Sequence, residues 1–146
     1  MTSTCRRLAC AMLVAFAVSV SSTAQGQEWA RVGTDAEDNI YSVDAARIVR
    51  DGSLASVRVR TEYARPRKVD AAGIDVFVAL DQMVVDCGSG KFAVQSRTLV
   101  AADGTEIPRG STPRGELRFR AAAAGSMSET IVRFVCRPAG APQVRG

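Results

Sequence analysis

The feature that most constrains this chain is the placement of Cys87 and Cys136, the two cysteines that follow its first 26 residues. Cys87 ends the most apolar segment of that part, and Cys136 ends the last segment with a regular apolar pattern. In an oxidising compartment they can form one disulfide, which closes a loop of about 50 residues and stabilises a fold by up to about 4 kcal/mol. The alternative is two unpaired buried thiols. A redox-active pair is disfavoured because no Cys-x-x-Cys spacing occurs.

The first 26 residues have the pattern of a secretory signal peptide. Arg6 and Arg7 precede an apolar run over residues 8–20, and small residues ending in Gly26 follow it. A run of about 13 residues is too short to span a bilayer, which takes roughly 20. We therefore predict cleavage after Gly26 and a periplasmic or secreted product with no transmembrane segment.

Removal of the signal peptide leaves 120 of the 146 residues, enough for one compact domain. We assign the domain to residues 27–137 and a flexible tail to residues 138–146. The loss of Arg6 and Arg7 lowers the net charge from +4 to +2, with 17 basic residues against 15 acidic ones. So weak a positive field, in an exported protein, argues against a nucleic-acid partner.

Period-two alternation of apolar and polar residues predicts antiparallel strands. It begins after the turn signal Asp51-Gly52, where Val57 and Val59 alternate with Arg58 and Arg60. Two further strands are predicted over residues 74–86, which are the most apolar, and residues 91–100. Residues 65–68 contain a proline and are expected to interrupt the sheet as a loop. The tract over residues 108–115 is likewise expected to be a loop.

The segment over residues 126–136 fits two structures. Met127, Ile131, Phe134 and Val135 have helical spacing, and Ser126 with Glu129 three residues later forms a capping-box pattern. The same residues have high strand propensity, and a two-residue period can also be drawn through them. The capping pattern favours the helix.

The amino-acid composition excludes the common types of catalytic site that depend on histidine. The chain has no histidine, so it cannot form a Ser-His-Asp or Cys-His site, and two cysteines alone do not make a usual zinc site. The acidic residues near Asp38 do not have calcium-loop spacing. A hydrolase using only carboxylates such as Asp75 and Asp81 is formally allowed, but no pattern selects a pair. We expect neither an enzyme nor a bound metal or cofactor.

Several segments together resemble one known family, the surface-adhesin protein E family. The matching segments are Val85-Asp86-Cys87, Lys91-Phe92, Ser96-Arg97-Thr98-Leu99-Val100, Asp103-Gly104, the closing Gly125-Ser126 to Val135-Cys136, Trp29 and Ile40-Tyr41-Ser42-Val43-Asp44. The resemblance implies an α+β fold: a single antiparallel sheet of about six strands, with a C-terminal helix packed on it and tied to it by the disulfide. It adds weight to the helical interpretation of residues 126–136.

The resemblance also implies a function. The family's characterised member is a bacterial outer-surface lipoprotein that binds host extracellular-matrix proteins and can dimerise. This chain departs from it in lacking a lipobox, since Cys10 precedes most of the apolar run, and in having only two lysines, Lys68 and Lys91. We expect an exported envelope domain that binds a host or envelope protein. The resemblance also allows a homodimer.

The residues predicted to contact such a partner are basic. They are Arg58, Arg60, Arg65, Arg67 and Lys68. Guanidinium groups suit carboxylates and sulfates, although the same charges could simply be solvated on a polar strand face. The alternative function is a soluble periplasmic structural or assembly factor that acts through an exposed sheet edge.

Overall fold

The computed structural model describes residues 28–71 and 73–138. The predicted signal peptide, its cleavage site and nearly all of the predicted tail lie outside these residues. Within the described part, no helix is long and apolar enough to cross a membrane.

The described residues form eight β-strands, two short 3₁₀ turns and one α-helix. The strands are β1 (Trp29–Thr34), β2 (Ile40–Asp44), β3 (Val49–Asp51), β4 (Leu54–Val69), β5 (Ile74–Asp86), β6 (Lys91–Ala101), β7 (Glu106–Ser111) and β8 (Arg120–Ala121). The 3₁₀ turns are Ala45–Arg47 and Arg114–Glu116, and the helix is α1 (Met127–Val135).

All eight strands belong to one antiparallel sheet in the order β1-β2-β4-β5-β6-β7. The short strands β3 and β8 lie off this path, because β3 pairs with β4 and β8 pairs with β6. The expected α+β architecture is confirmed, but the expected count of about six strands is too low. The reason is local: β2 and β3 share one edge of β4, separated by the first 3₁₀ turn, and β7 and β8 share one edge of β6 in the same way.

Strand β4 shows how the alternating sequence builds the sheet. Ala55, Val57 and Val59 are buried on the face covered by α1, and their cross-strand partners in β5 are Val85, Met83 and Asp81. Residues that pair directly across two strands share a face, so the burial of one strand determines that of its neighbour.

The expected break at residues 65–68 is wrong, because β4 continues through Pro66 to Val69. Its pairing with β5 shifts between Glu62 and Arg67, so the intervening residues form a bulge that makes no ladder contacts. A proline at a bulge loses no ladder hydrogen bond, which is why the strand tolerates it. Pro108 is tolerated for a related reason in β7, an outer strand that extends over part of the expected loop.

The last segment is helical, as the capping pattern predicts. The Ser126 hydroxyl oxygen accepts a hydrogen bond from the Glu129 backbone N–H (3.2 Å), while the Glu129 carboxylate accepts one from the Gly125 N–H (2.7 Å). Both satisfy N–H groups that have no partner within the helix. Three α1 residues, Ile131, Val132 and Val135, are buried against the sheet and complete its main apolar core.

The predicted disulfide is confirmed, with an Sγ–Sγ distance of 2.05 Å between Cys87 and Cys136. It joins the end of β5 to the residue that follows α1. Arg50 of β3 strengthens the same end by donating hydrogen bonds to the carbonyl oxygens of Val135 (2.6 Å) and Arg137 (3.0 Å). The C-terminal end of α1 is therefore fixed to the sheet both covalently and by hydrogen bonds.

Candidate binding surfaces

The structure divides the five predicted basic residues into two groups. Arg58 and Arg60 alternate with the buried valines of β4, so they lie on the sheet face opposite α1. Arg60 forms an ion pair with Glu62 (3.2 Å), while Arg58 has no ion pair among the described residues. These two arginines are therefore part of a mixed polar sheet face.

The other three basic residues lie at the β4 bulge and line one groove of about 770 Å³, which we call the basic groove. Its opposite side is the turn between β1 and β2. Arg67 forms an ion pair with Glu37 of that turn (2.8 Å), and Lys68 pairs with Asp75 (2.9 Å). Arg65 is exposed and has no ion pair within the described part of the chain, so its guanidinium remains available to a ligand.

The basic groove is held in shape by Asn39, a residue that no motif in the sequence marks. Asn39 is 3% exposed, and its side-chain oxygen accepts a hydrogen bond from the Ala64 N–H (3.1 Å), a bulge amide with no ladder partner. Its amide group donates to Asp35 Oδ2 (2.9 Å). The hydrogen bond from the Asn39 amide to Asp35 lowers the pKa of Asp35. The only sequence signal was the Asp-x-x-x-Asn spacing, which is too common to be informative alone.

A second polar group lies on the sheet face that α1 partly covers. Asp81 is 8% exposed and accepts two hydrogen bonds from Arg97, from Nε (2.6 Å) and from Nη2 (2.7 Å). This bidentate contact raises the pKa of Arg97. Asp81 is buried whereas Arg97 is half exposed, so water partly screens the pair and its net contribution to stability is small.

Asp81 and Arg97 line a cleft of about 430 Å³ between the sheet and the first turn of α1, which we call the helix cleft. Tyr41 lies at the same cleft and donates a hydrogen bond to Asp35 Oδ2 (3.0 Å). Burial and this hydrogen bond raise the pKa of Tyr41 to about 12. Tyr41 is therefore a neutral hydrogen-bonding group at physiological pH.

Both surfaces present guanidinium groups. Guanidinium groups with unused N–H donors recognise carboxylates and sulfates. Asp75 and Asp81 are each bonded to a different cation, Lys68 and Arg97. Among the described residues, no group of three or more acidic or cysteine side chains could hold a metal ion.

Comparison with known proteins assigns the chain to a family. The sequence model for surface-adhesin protein E matches residues 29–137, from the first residue of β1 to just beyond the disulfide. No curated protein matches the sequence. The matched region contains the whole described sheet, α1 and both cysteines, so the chain belongs to the surface-adhesin protein E family.

Proposed function

We propose that this protein is an exported, non-enzymatic domain of the cell envelope that binds a host or envelope protein through the basic groove. Membership of an adhesin family supports a surface or exported location and a binding role. The observation on which the proposal rests is Arg65: an exposed guanidinium with no acidic partner in the described structure, beside Arg67 and Lys68. Acidic or sulfated groups on the partner are the matching chemistry.

The basic groove is a better binding site than the Arg58 and Arg60 face for a structural reason. The hydrogen bond from the Ala64 N–H to Asn39 fixes the bulge against the β1–β2 turn. A site that is rigid before binding has less conformational entropy to lose when the partner arrives. Each surface has one arginine without an ion pair among the described residues, Arg65 in the groove and Arg58 on the opposite face, so the fixed shape of the groove is what distinguishes the two.

The alternative function, assembly through an exposed sheet edge, is less well supported. The outer strands on the main path of the sheet are β1 and β7. The pairing of β1 is irregular between Arg31 and Gly33, and β7 contains Pro108. Bulges and prolines on outer strands oppose the addition of a further strand. We therefore propose that partners are recognised by side chains.

The test compares two sets of arginine and lysine variants of the oxidised protein. Binding to an immobilised basement-membrane preparation is measured by biolayer interferometry at several salt concentrations. We expect the triple variant Arg65→Ala, Arg67→Ala, Lys68→Ala to bind at least tenfold more weakly, because it removes three positive charges from the basic groove. The matched control, Arg58→Ala with Arg60→Ala, should bind as the wild type does.

Equal loss in both variants would contradict the basic groove as the site, and no binding by the wild type would contradict a host-matrix partner. Location is measured separately by surface labelling of intact cells and by osmotic-shock release. Labelling on intact cells is the expected result. Release by osmotic shock without labelling would favour the periplasmic alternative.

A further inference from the structure

The helix cleft continues into a second hollow on the β6–β7 side of the sheet. The two have volumes of about 430 and 470 Å³, and both are lined by Val94, Arg97 and Arg120. The two arginines therefore lie where the hollows meet. Arg67 lines both the helix cleft and the basic groove, but Arg97 and Arg120 do not line the groove, so an inference about these two arginines does not depend on the proposed function.

Arg97 has hydrogen-bonding capacity that the described structure does not use. A guanidinium has five N–H donors in a fixed plane. Two of them, on Nε and Nη2, are bonded to the carboxylate of Asp81, and the described residues provide no acceptor for the others. Because Asp81 is almost fully buried, the bidentate contact also fixes the orientation of that plane.

Arg120 is positioned by the short strand β8. The pairing of β8 with β6 sets Arg120 opposite Phe92, and its guanidinium lies 5.0 Å from the centre of the Phe92 ring. No acidic side chain in the described part of the chain is paired with it. Arg120 is thus a cation held by stacking, whose N–H groups remain available to a ligand.

The other charged groups of the helix cleft each have a partner. Asp81 is bonded to Arg97 and Arg67 is paired with Glu37, while Asp35 remains negative and accepts hydrogen bonds from Asn39 and Tyr41. The groups of the cleft that an anion can bind are therefore the spare N–H donors of Arg97 and Arg120. They lie beside Val94 and Met127, the half-buried apolar residues of the lining.

From this combination we propose that the helix cleft binds a carboxylate that is attached to an apolar group. The carboxylate lies between Arg97 and Arg120, and the apolar group lies against Val94 and Met127, in the first turn of α1. The volume of the cleft is within the range of small-ligand sites.

The probe is N-acetyl-phenylalanine, which joins a carboxylate to an aromatic group, and its control is the corresponding carboxamide. Both are titrated into the ¹⁵N-labelled oxidised protein by NMR. We expect dissociation on the order of millimolar for the acid, with shifts confined to residues of the cleft. The carboxamide should bind at least tenfold more weakly. Equal binding of acid and amide, or no saturable shift at the cleft, would overturn the proposal.

Two variants test the arginines. Arg120→Ala should weaken binding of the acid at least fivefold, whereas the nearby exposed Arg118→Ala, which does not line the helix cleft, should leave it within twofold. Arg97→Lys keeps a cation beside Asp81 but removes the spare planar donors, so it should also weaken binding while the amide spectrum stays folded. Binding that is unchanged in both Arg120→Ala and Arg97→Lys would show that the acid is recognised elsewhere.

Discussion

Asn39 connects two parts of the chain that are 25 residues apart. Its side chain is the acceptor for the Ala64 N–H and a donor to Asp35. Replacing it with alanine removes both side-chain hydrogen bonds. Each such bond contributes about 0.5–1.5 kcal/mol, and more where one partner is charged, so their loss together costs about 1–3 kcal/mol. We expect Asn39→Ala to lower the free energy of unfolding by that amount in urea titrations.

The matched control for this change is Glu37→Ala in the same turn. Glu37 is exposed and its ion pair with Arg67 lies at the surface, where such pairs contribute less than about 1 kcal/mol. Equal destabilisation by the two substitutions would show that Asn39 has no special part in shaping the basic groove.

Tyr41 provides a test of the helix cleft by its ionisation. Its pKa is raised to about 12 by burial and by the hydrogen bond to Asp35. A raised pKa means that the folded state holds the phenol proton more tightly than the unfolded state does. The resulting stability is complete below pH 10 and is lost as the pH rises toward 12.

The protein has two tyrosines, so Tyr63→Phe leaves Tyr41 as the only phenol. Absorbance at 295 nm should then show a midpoint near 12 for the folded protein and near 10 in denaturant. Circular dichroism at each pH verifies that the fold persists. A midpoint near 10 in the folded protein would contradict the buried hydrogen bond.

The three long strands β4, β5 and β6 and the helix are predictable, because their signals are local. The alternation around Val57, the turn at Asp51-Gly52 and the capping pattern at Ser126 each depend on a few neighbouring residues. Strand β8 has two residues and no period to detect. The position of β8 is set by its pairing with β6, and no local sequence pattern predicts that pairing.

The contact between Asp81 and Arg97 could not be predicted, because it depends on a register shift. Met83 pairs with Val94 but Gln82 pairs with Ser96, so Gln95 is an extra residue in β6. Without that bulge, regular pairing would place Ser96 opposite Asp81. From the sequence, Asp81 is considered only with Asp75, as one of two carboxylates that no pattern selects.

The stability of the first turn of α1 is expected to depend on the Ser126 side chain. Ser126→Ala removes the side-chain oxygen that accepts from the Glu129 N–H. Loss of such a cap costs about 1 kcal/mol. Ser128→Ala is the control, since Ser128 lies in the same turn and its side chain has no hydrogen bond within the described residues. Urea titrations should show the loss for Ser126→Ala alone; similar values for both would contradict the capping role.

The helix cleft exists because α1 covers only part of its sheet face. The helix packs on the main core cluster, while Val76, Ala79 and Leu99 form a separate cluster on the same sheet. Asp81 and Arg97 lie between the clusters, in the row that adjoins the start of α1. The length of the final helix therefore determines where polar groups of the sheet become accessible. The sequence predicted the helix and the disulfide, but not how far along the sheet the helix would reach.

The disulfide should govern the stability of the whole domain. Cys87 and Cys136 are separated by 49 residues, and closing a loop of this length stabilises the folded state by up to about 4 kcal/mol. That is comparable with the net stability of a small domain, about 5–15 kcal/mol. In urea titrations, we expect the double variant Cys87→Ala, Cys136→Ala to lose most of the roughly 4 kcal/mol that the disulfide contributes to the free energy of unfolding. The buried α1 residues belong to the main core, so α1 is expected to unfold together with the sheet. Wild-type protein reduced with dithiothreitol should show the same loss.

The contrary outcome is local detachment of α1 while the sheet keeps its stability. In that case near-ultraviolet circular dichroism and the urea midpoint would change independently. The disulfide would then stabilise only the end of the helix.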